Sequence, residues 1–130
     1  MSDTVGDFII RLKNAGAVHK ESVLVPYSKF KMAIAEKLKD AGYIKAAEKK
    51  GKKVKKNIEV TLFYEKNGDH KIHNVKRISK PGRRMYKNAG ELHPIRFGNG
   101  SLILSTPKGV LTEKEAQAAG VGGEALFEIW

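Results

Sequence analysis

The stretch "SLILSTPKGVLTEKEAQAAGVGGE", residues 101–124, decides what kind of fold the chain adopts. "SLILST" is an apolar run too short for a helix, ended by two hydroxyls and Pro107, so it reads as a strand closed by a turn. Thr112 followed by Glu115 is a capping-box pattern, in which a hydroxyl and a carboxylate satisfy the free N–H groups of a helix start. Gly120 suits the left-handed stop of that helix, so residues 113–119 form one short helix. After the glycines, "ALFEIW" (125–130) reads as the closing strand. The single helix interrupts a β-rich segment, as expected of an α+β fold.

Working upstream, "HPIRF" (93–97), the "GNG" turn (98–100) and "KIHNVKRIS" (71–79) extend the β-rich part back to the Asn67-Gly68-Asp69 turn. A soft boundary therefore falls near residue 70, giving halves 1–70 and 71–130. In the first half, Val5, Phe8, Ile9 and Leu12 recur at helical spacing after Ser2, Asp3 or Thr4 as N-caps, predicting a helix over 4–17. "SVLVP" (22–26) is a short strand. Ser28 caps a second helix with Phe30, Ile34 and Leu38 on its buried face and Gly42 as its stop. "YIKAAEKK" and "IEVTLFYE" are two strands around Gly51. The expected architecture is two small packed halves, N-terminal αβαββ and C-terminal mainly antiparallel β with one short helix.

The chain of 130 residues has no cysteine, which excludes disulfides and thiolate metal sites and points to a reducing, cytoplasmic setting. The N-terminus has no basic leader, and no apolar run approaches the roughly 18 residues of a membrane span. The formal charge is +11 and is concentrated. "KAAEKKGKKVKK" (45–56) holds seven lysines and one glutamate, and "KRISKPGRRMYK" (76–87) six basic residues and no acid. The remainder, with 12 basic and 13 acidic residues, is almost neutral. Two focused basic patches on a neutral body suit a polyanion, above all nucleic acid.

Catalytic readings find little support. Ser105 lacks both a histidine base and a Gly-x-Ser-x-Gly turn. His70 and His73 stand three apart in a strand pattern and so face opposite ways, which excludes a shared metal. Gly98 and Gly100 belong to a turn, with no Gly-Lys-Ser/Thr to make a phosphate loop. Glu113 and Glu115 lie in a helix's first turn, where a carboxylate favours the backbone dipole. Neither a metal nor a cofactor is implied. What remains is a strand end with short hydroxyls, Lys108 and Gly109, beside a helix leading to Gly122, Gly123 and Glu124. Such groups approach base edges and ribose hydroxyls closely, as binding to structured RNA requires.

Ser105-Thr106, Lys108-Gly109-Val110 and "AGVGGE" (119–124) resemble the C-terminal signature of the bacterial small-subunit ribosomal protein S8 family. "ISKPGRRMY" (78–86) resembles a second block of that family, and "IIRLKNA" (9–15) and "SKFKMAIAEKLKDAGYI" (28–44) its first two helices. The resemblance implies a non-enzymatic constituent of the small ribosomal subunit that binds the central domain of ribosomal RNA, aids assembly, touches neighbouring ribosomal proteins and, in many bacteria, binds its own operon's messenger RNA. It assigns RNA contacts to Ser105, Thr106, Gly109, Gly122, Gly123, Glu124 and Tyr86, and phosphate contacts to Lys80, Arg83, Arg84 and Lys108, with Lys29 and Lys31 at the second helix. Pro107 departs from the pattern, standing where the family has a second serine and removing a hydroxyl and an N–H. "DTVGD" lacks the family's Asp-Pro, so no contact is carried to Thr4 or Val5. The lysine hairpin at 45–56 is an added, sequence-blind RNA grip. The alternative reading is a module gripping anionic surfaces, membranes included.

Overall fold

The computed structural model describes residues 4–51 and 56–130. The N-cap candidates Ser2 and Asp3, and Lys52, Lys53 and Lys55 of the lysine run, lie outside the described residues. The chain forms two units, Asp7–His73 and Asn74–Trp130, the second also taking in residues 4–6. Among the described residues, no helix is long and apolar enough to cross a membrane.

The first unit contains α1 (Thr4–Ala17, most of it), β1 (Ser22–Pro26), α2 (Lys29–Asp40), β2 (Ile44–Lys50) and β3 (Asn57–Leu62). The three strands form an antiparallel sheet in the order β1-β3-β2. Alternation in β3 buries Ile58, Val60 and Leu62, and these join Phe8, Ile9, Leu12, Ile34 and Leu38 among the buried apolar side chains. Ser28 caps α2 by accepting a bond from the Lys31 N–H at 3.1 Å. Gly42, at φ +87°, follows the C-cap in the left-handed conformation that suits glycine. One expectation for α2 fails: Phe30 is 39% exposed. It lies in the helix's first turn, at the end of the stripe that Ile34 and Leu38 continue.

The second unit is built on β4 (Val75–Arg77), β5 (Tyr86–Lys87), β6 (Ser101–Thr106), β7 (Gly109–Thr112), α3 (Glu113–Ala119) and β8 (Gly123–Ile129). The order is β4-β8-β6-β7, with β5 also pairing β8. α3 has the expected capping box between Thr112 and Glu115, and Gly120 stops it at φ +69°. Leu102, Leu104 and Ala125 pack with Leu92, Ile95 and Ala116 in a buried cluster. Glu113 serves the fold. Its buried Oε2 accepts the Leu102 N–H at 2.8 Å, pinning the helix start to β6.

Two strand expectations are corrected. "HPIRF" ends in a 3-10 turn at Arg96–Gly98, where Arg96 at φ +48° and Gly98 at φ +90° interrupt extended backbone, leaving one bridge between Ile95 and Gly100. Of "KIHNVKRIS", only Val75–Arg77 pairs as a strand, because His70 bridges back to Tyr64 and the chain reaches β8 only from Asn74 onward.

Candidate nucleic-acid interface

The site begins with one extra residue in β8. Ile103 pairs with Phe127 but Leu104 pairs with Ala125, so Leu126 is bulged. Its freed carbonyl accepts bonds from Arg77 Nη1 at 2.7 Å, the Ile78 N–H at 3.1 Å and the Ser79 N–H at 3.3 Å. The chain therefore leaves β4 at this point, loops outward and returns as β5 lower on the same strand. The buried Ser79 closes the neck: its hydroxyl accepts from the Met85 N–H at 2.8 Å and donates to the Met85 carbonyl at 3.2 Å. Lys80 and Arg83 exchange backbone N–H to carbonyl bonds, both at 2.9 Å. The result is a tight loop that presents the exposed side chains of Lys80, Arg83 and Arg84.

The bulge also sets the register of the neighbouring residues. Tyr86 pairs with Glu124, and Glu124 with Ser105. Side chains directly opposite each other in antiparallel strands project from the same face. Tyr86, Glu124 and Ser105 thus form a row spanning roughly 10 Å across three strands. Tyr86 is 69% exposed, an unusual position for an aromatic ring in a folded domain. Glu124 is held by Arg84, Nη1 to Oε2 3.2 Å, which orients the carboxylate and offsets its charge.

At the end of β6, Thr106 pairs with Gly109 around a two-residue turn of Pro107 and Lys108. Pro107 sits at the first turn position, which favours proline's fixed φ. Gly109, at φ +102°, takes a conformation that side chains disfavour. The Thr106 hydroxyl braces the turn, donating to the Gly109 carbonyl at 2.8 Å and accepting from the Lys108 N–H at 3.1 Å. Among the described residues the Ser105 hydroxyl has no such partner.

The two glycines have a role within the fold. A Cβ on Gly123 would land on the Ser105 carbonyl oxygen, and one on Gly122 on the Lys87 carbonyl oxygen. Close passage of backbone past backbone brings β8 between β5 and β6.

The structure thus gathers Tyr86, Lys80, Arg83, Arg84, Ser105, Thr106, Lys108, Gly109, Gly122, Gly123 and Glu124 in one unit, around one end of the β5-β8-β6-β7 arrangement. Lys29 and Lys31 belong to the other unit. Lys29 is exposed. Lys31 is 8% exposed, and burial, with Arg11 nearby and partly opposed by Asp7, lowers its pKa from the usual lysine value. Sequence reasoning missed Ser79, Met85 and the Leu126 bulge. No local pattern marks them, since each acts through pairing across long sequence separations.

Among the described residues no group of histidines and carboxylates could hold a metal ion. The candidate surface combines an exposed aromatic ring, short hydroxyls and a braced turn with exposed cations of the same unit. The ribosomal protein S8 family model matches residues 3–130. The small ribosomal subunit protein uS8 of Bifidobacterium longum subsp. infantis is 47% identical over all of this chain and 98% of its own length. Those of Acidovorax sp. and Mycoplasma mobile are 46% and 45% identical, over 99% and 100% of this chain and 98% and 97% of theirs. Matched over nearly its whole length by the family model and by these relatives, the chain belongs to the ribosomal protein S8 family.

Proposed function

We propose that the chain is a structural, non-catalytic constituent of the cytoplasmic small ribosomal subunit that binds the central domain of small-subunit ribosomal RNA directly and helps it fold. The observation that supports this most strongly is the in-register row Tyr86–Glu124–Ser105, flanked by the braced Thr106–Gly109 turn and by exposed Lys80, Arg83 and Lys108. Unpaired bases of a distorted RNA helix stack on a tyrosine and receive a hydrogen bond from the Ser105 hydroxyl beside the turn that Thr106 braces, while the cations meet phosphates. The C-terminal half, residues 71–130, supplies recognition, and the basic stretches supply salt-dependent affinity. A messenger RNA of the chain's own operon with a similar fold would use the same surface, and neighbouring ribosomal proteins are further partners.

The test is equilibrium binding to a central-domain ribosomal RNA fragment beside a plain duplex of equal length, at about 50 and 200 mM salt. Preference for the fragment should persist at the higher salt. Thr106→Val should weaken fragment binding by roughly 1–3 kcal/mol and leave duplex binding nearly unchanged, whereas Thr106→Ser keeps the hydroxyl and the affinity. Equal affinities that collapse together with salt would overturn the assignment.

A further inference from the structure

We propose that Asn67 is a site of spontaneous covalent modification, at which its side-chain amide is converted to isoaspartate and aspartate with loss of ammonia, while the fold protects the chemically equivalent Asn99.

In an Asn-Gly pair the side-chain amide is unusually open to the next backbone nitrogen, because glycine has no Cβ to shield that nitrogen or restrict its approach. The Gly68 N attacks Asn67 Cγ and forms an N–Cγ bond. The Cγ–Nδ2 bond breaks, and ammonia departs with the proton from the Gly68 N. Water then opens the cyclic imide: attack at Cγ leaves aspartate, and attack at the backbone carbonyl leaves isoaspartate, in which the chain runs through Cβ and Cγ. Water is the one co-reactant, and nothing is oxidised or reduced.

The sequence holds two such pairs, Asn67-Gly68 and Asn99-Gly100, and their surroundings differ. Residues 66–69 are all exposed, at the tip of a hairpin tied below by the Tyr64–His70 bridge. A Cβ on Gly68 would meet nothing within 4 Å. The Gly68 N–H donates to the Glu65 carbonyl at 2.8 Å, so attack waits for the tip to open, and an exposed tip opens without disturbing the core. The Asp69 N–H donates to Asn67 Oδ1 at 3.0 Å, which draws charge from Cγ and stabilises the oxyanion formed on attack. Gly100, in contrast, is buried. Its N–H donates to the Ile95 carbonyl at 3.2 Å, and an added Cβ would meet the Ile129 carbonyl oxygen at 3.1 Å. Swinging this backbone onto Asn99 Cγ therefore means displacing the end of β8.

The product alters the turn. The bond from Asn67 Nδ2 to Asp69 Oδ2, 3.0 Å in the native chain, is lost, and a second carboxylate stands beside the first. Isoaspartate also lengthens the backbone inside the turn that the Glu65–Gly68 bond closes. The modification thus loosens the hairpin in one direction only.

The full-length chain is held at neutral and at mildly alkaline pH, beside a urea-unfolded sample, and mapped by mass spectrometry with fragmentation that separates isoaspartate from aspartate. Unfolded, both pairs should react at similar rates. Folded, Asn67 should react at least about tenfold faster than Asn99, since its turn opens locally and the other does not. The rate should rise with pH, because the attacking nitrogen must shed its proton, and isoaspartate should be among the products. Protease should cut the aged chain within residues 64–70 faster than the fresh one, and Asn67→Gln should show neither the modification nor the change with age. Equal rates at the two pairs in the folded chain, reaction of Asn67 only in urea, or a product free of isoaspartate overturns the proposal.

Discussion

Gly16 lies inside α1, where alanine is ordinarily about 1 kcal/mol better than glycine. Here a Cβ would land on the imidazole of His70, which occupies the space against the helix backbone. Gly16→Ala should therefore destabilise by about 1–3 kcal/mol, the usual cost of overpacking, measured as a lower urea midpoint at unchanged slope. His70 is itself informative. It packs against Tyr64, ring centroids 5.3 Å apart, and burial, with His73 and His19 nearby, lowers its pKa from the ordinary 6.5, partly opposed by the Ile72 backbone. Below about pH 6.5 the unfolded chain then takes up a proton that the folded chain resists. Stability contributed by neutral His70 is therefore full above that value and is lost as pH falls from it towards the lowered folded value. Chemical denaturation at pH 7.5 and 5 should show a larger loss for the native chain than for His70→Phe, which keeps a ring and removes the titration. Equal losses would mean that His70 is not desolvated on folding.

Elements defined by local chemistry were legible in the residues: Ser28 capping α2, Thr112 and Glu115 boxing α3, and the alternation in β3 each act within a few positions. Elements defined by a distant partner were not. β5 is two residues long and exists because β8 pairs with it, and β7 occupies only the four residues between a turn and a helix cap. The candidate site divides in the same way. Ser105, Thr106 and the glycines are visible along the chain, whereas the placing of Tyr86 beside Glu124, and of Glu124 beside Ser105, follows from the Leu126 bulge, which no periodicity announces. Resemblance to a family could name the residues, but not the strand geometry that aligns them. The glycines acquire a second meaning from that geometry, since β6 and β8 approach too closely at Gly123 for any side chain. Gly123→Ala must displace backbone, which cannot yield as a flexible side chain would. It should lower the stability of the chain by about 2 kcal/mol or more, read in thermal or urea unfolding without RNA present. Unchanged stability combined with weakened RNA binding would instead assign Gly123 to the ligand alone.

The net charge of +11 is divided between regions with different structural support. Lys80, Arg83 and Arg84 sit on a loop whose backbone is tied to β8 through Ser79 and Met85, and Arg84 is further held by Glu124, so the loop lies at a fixed place beside the Tyr86–Ser105 row. Lys45, Lys49, Lys50 and Lys56 project from β2 and its junction with β3, in the other unit. Cations on a loop set beside a recognition row act together with that row on one RNA fold, whereas lysines away from it meet any phosphate as point charges. The two regions should therefore separate in their dependence on salt and on RNA fold. Replacing Lys45, Lys49, Lys50 and Lys56 with glutamine should flatten the plot of log affinity against log salt by roughly 0.7–0.9 for each phosphate no longer neutralised, equally on the ribosomal fragment and on the duplex. The ratio of the two affinities should stay where it was. Thr106→Val should do the opposite, reducing the ratio while leaving the slope in place, because a hydroxyl releases no counterions. If the glutamine variant keeps its slope, the first unit does not touch phosphate; if it loses the ratio, RNA recognition extends beyond the β5-β8-β6 row into the lysine-bearing sheet.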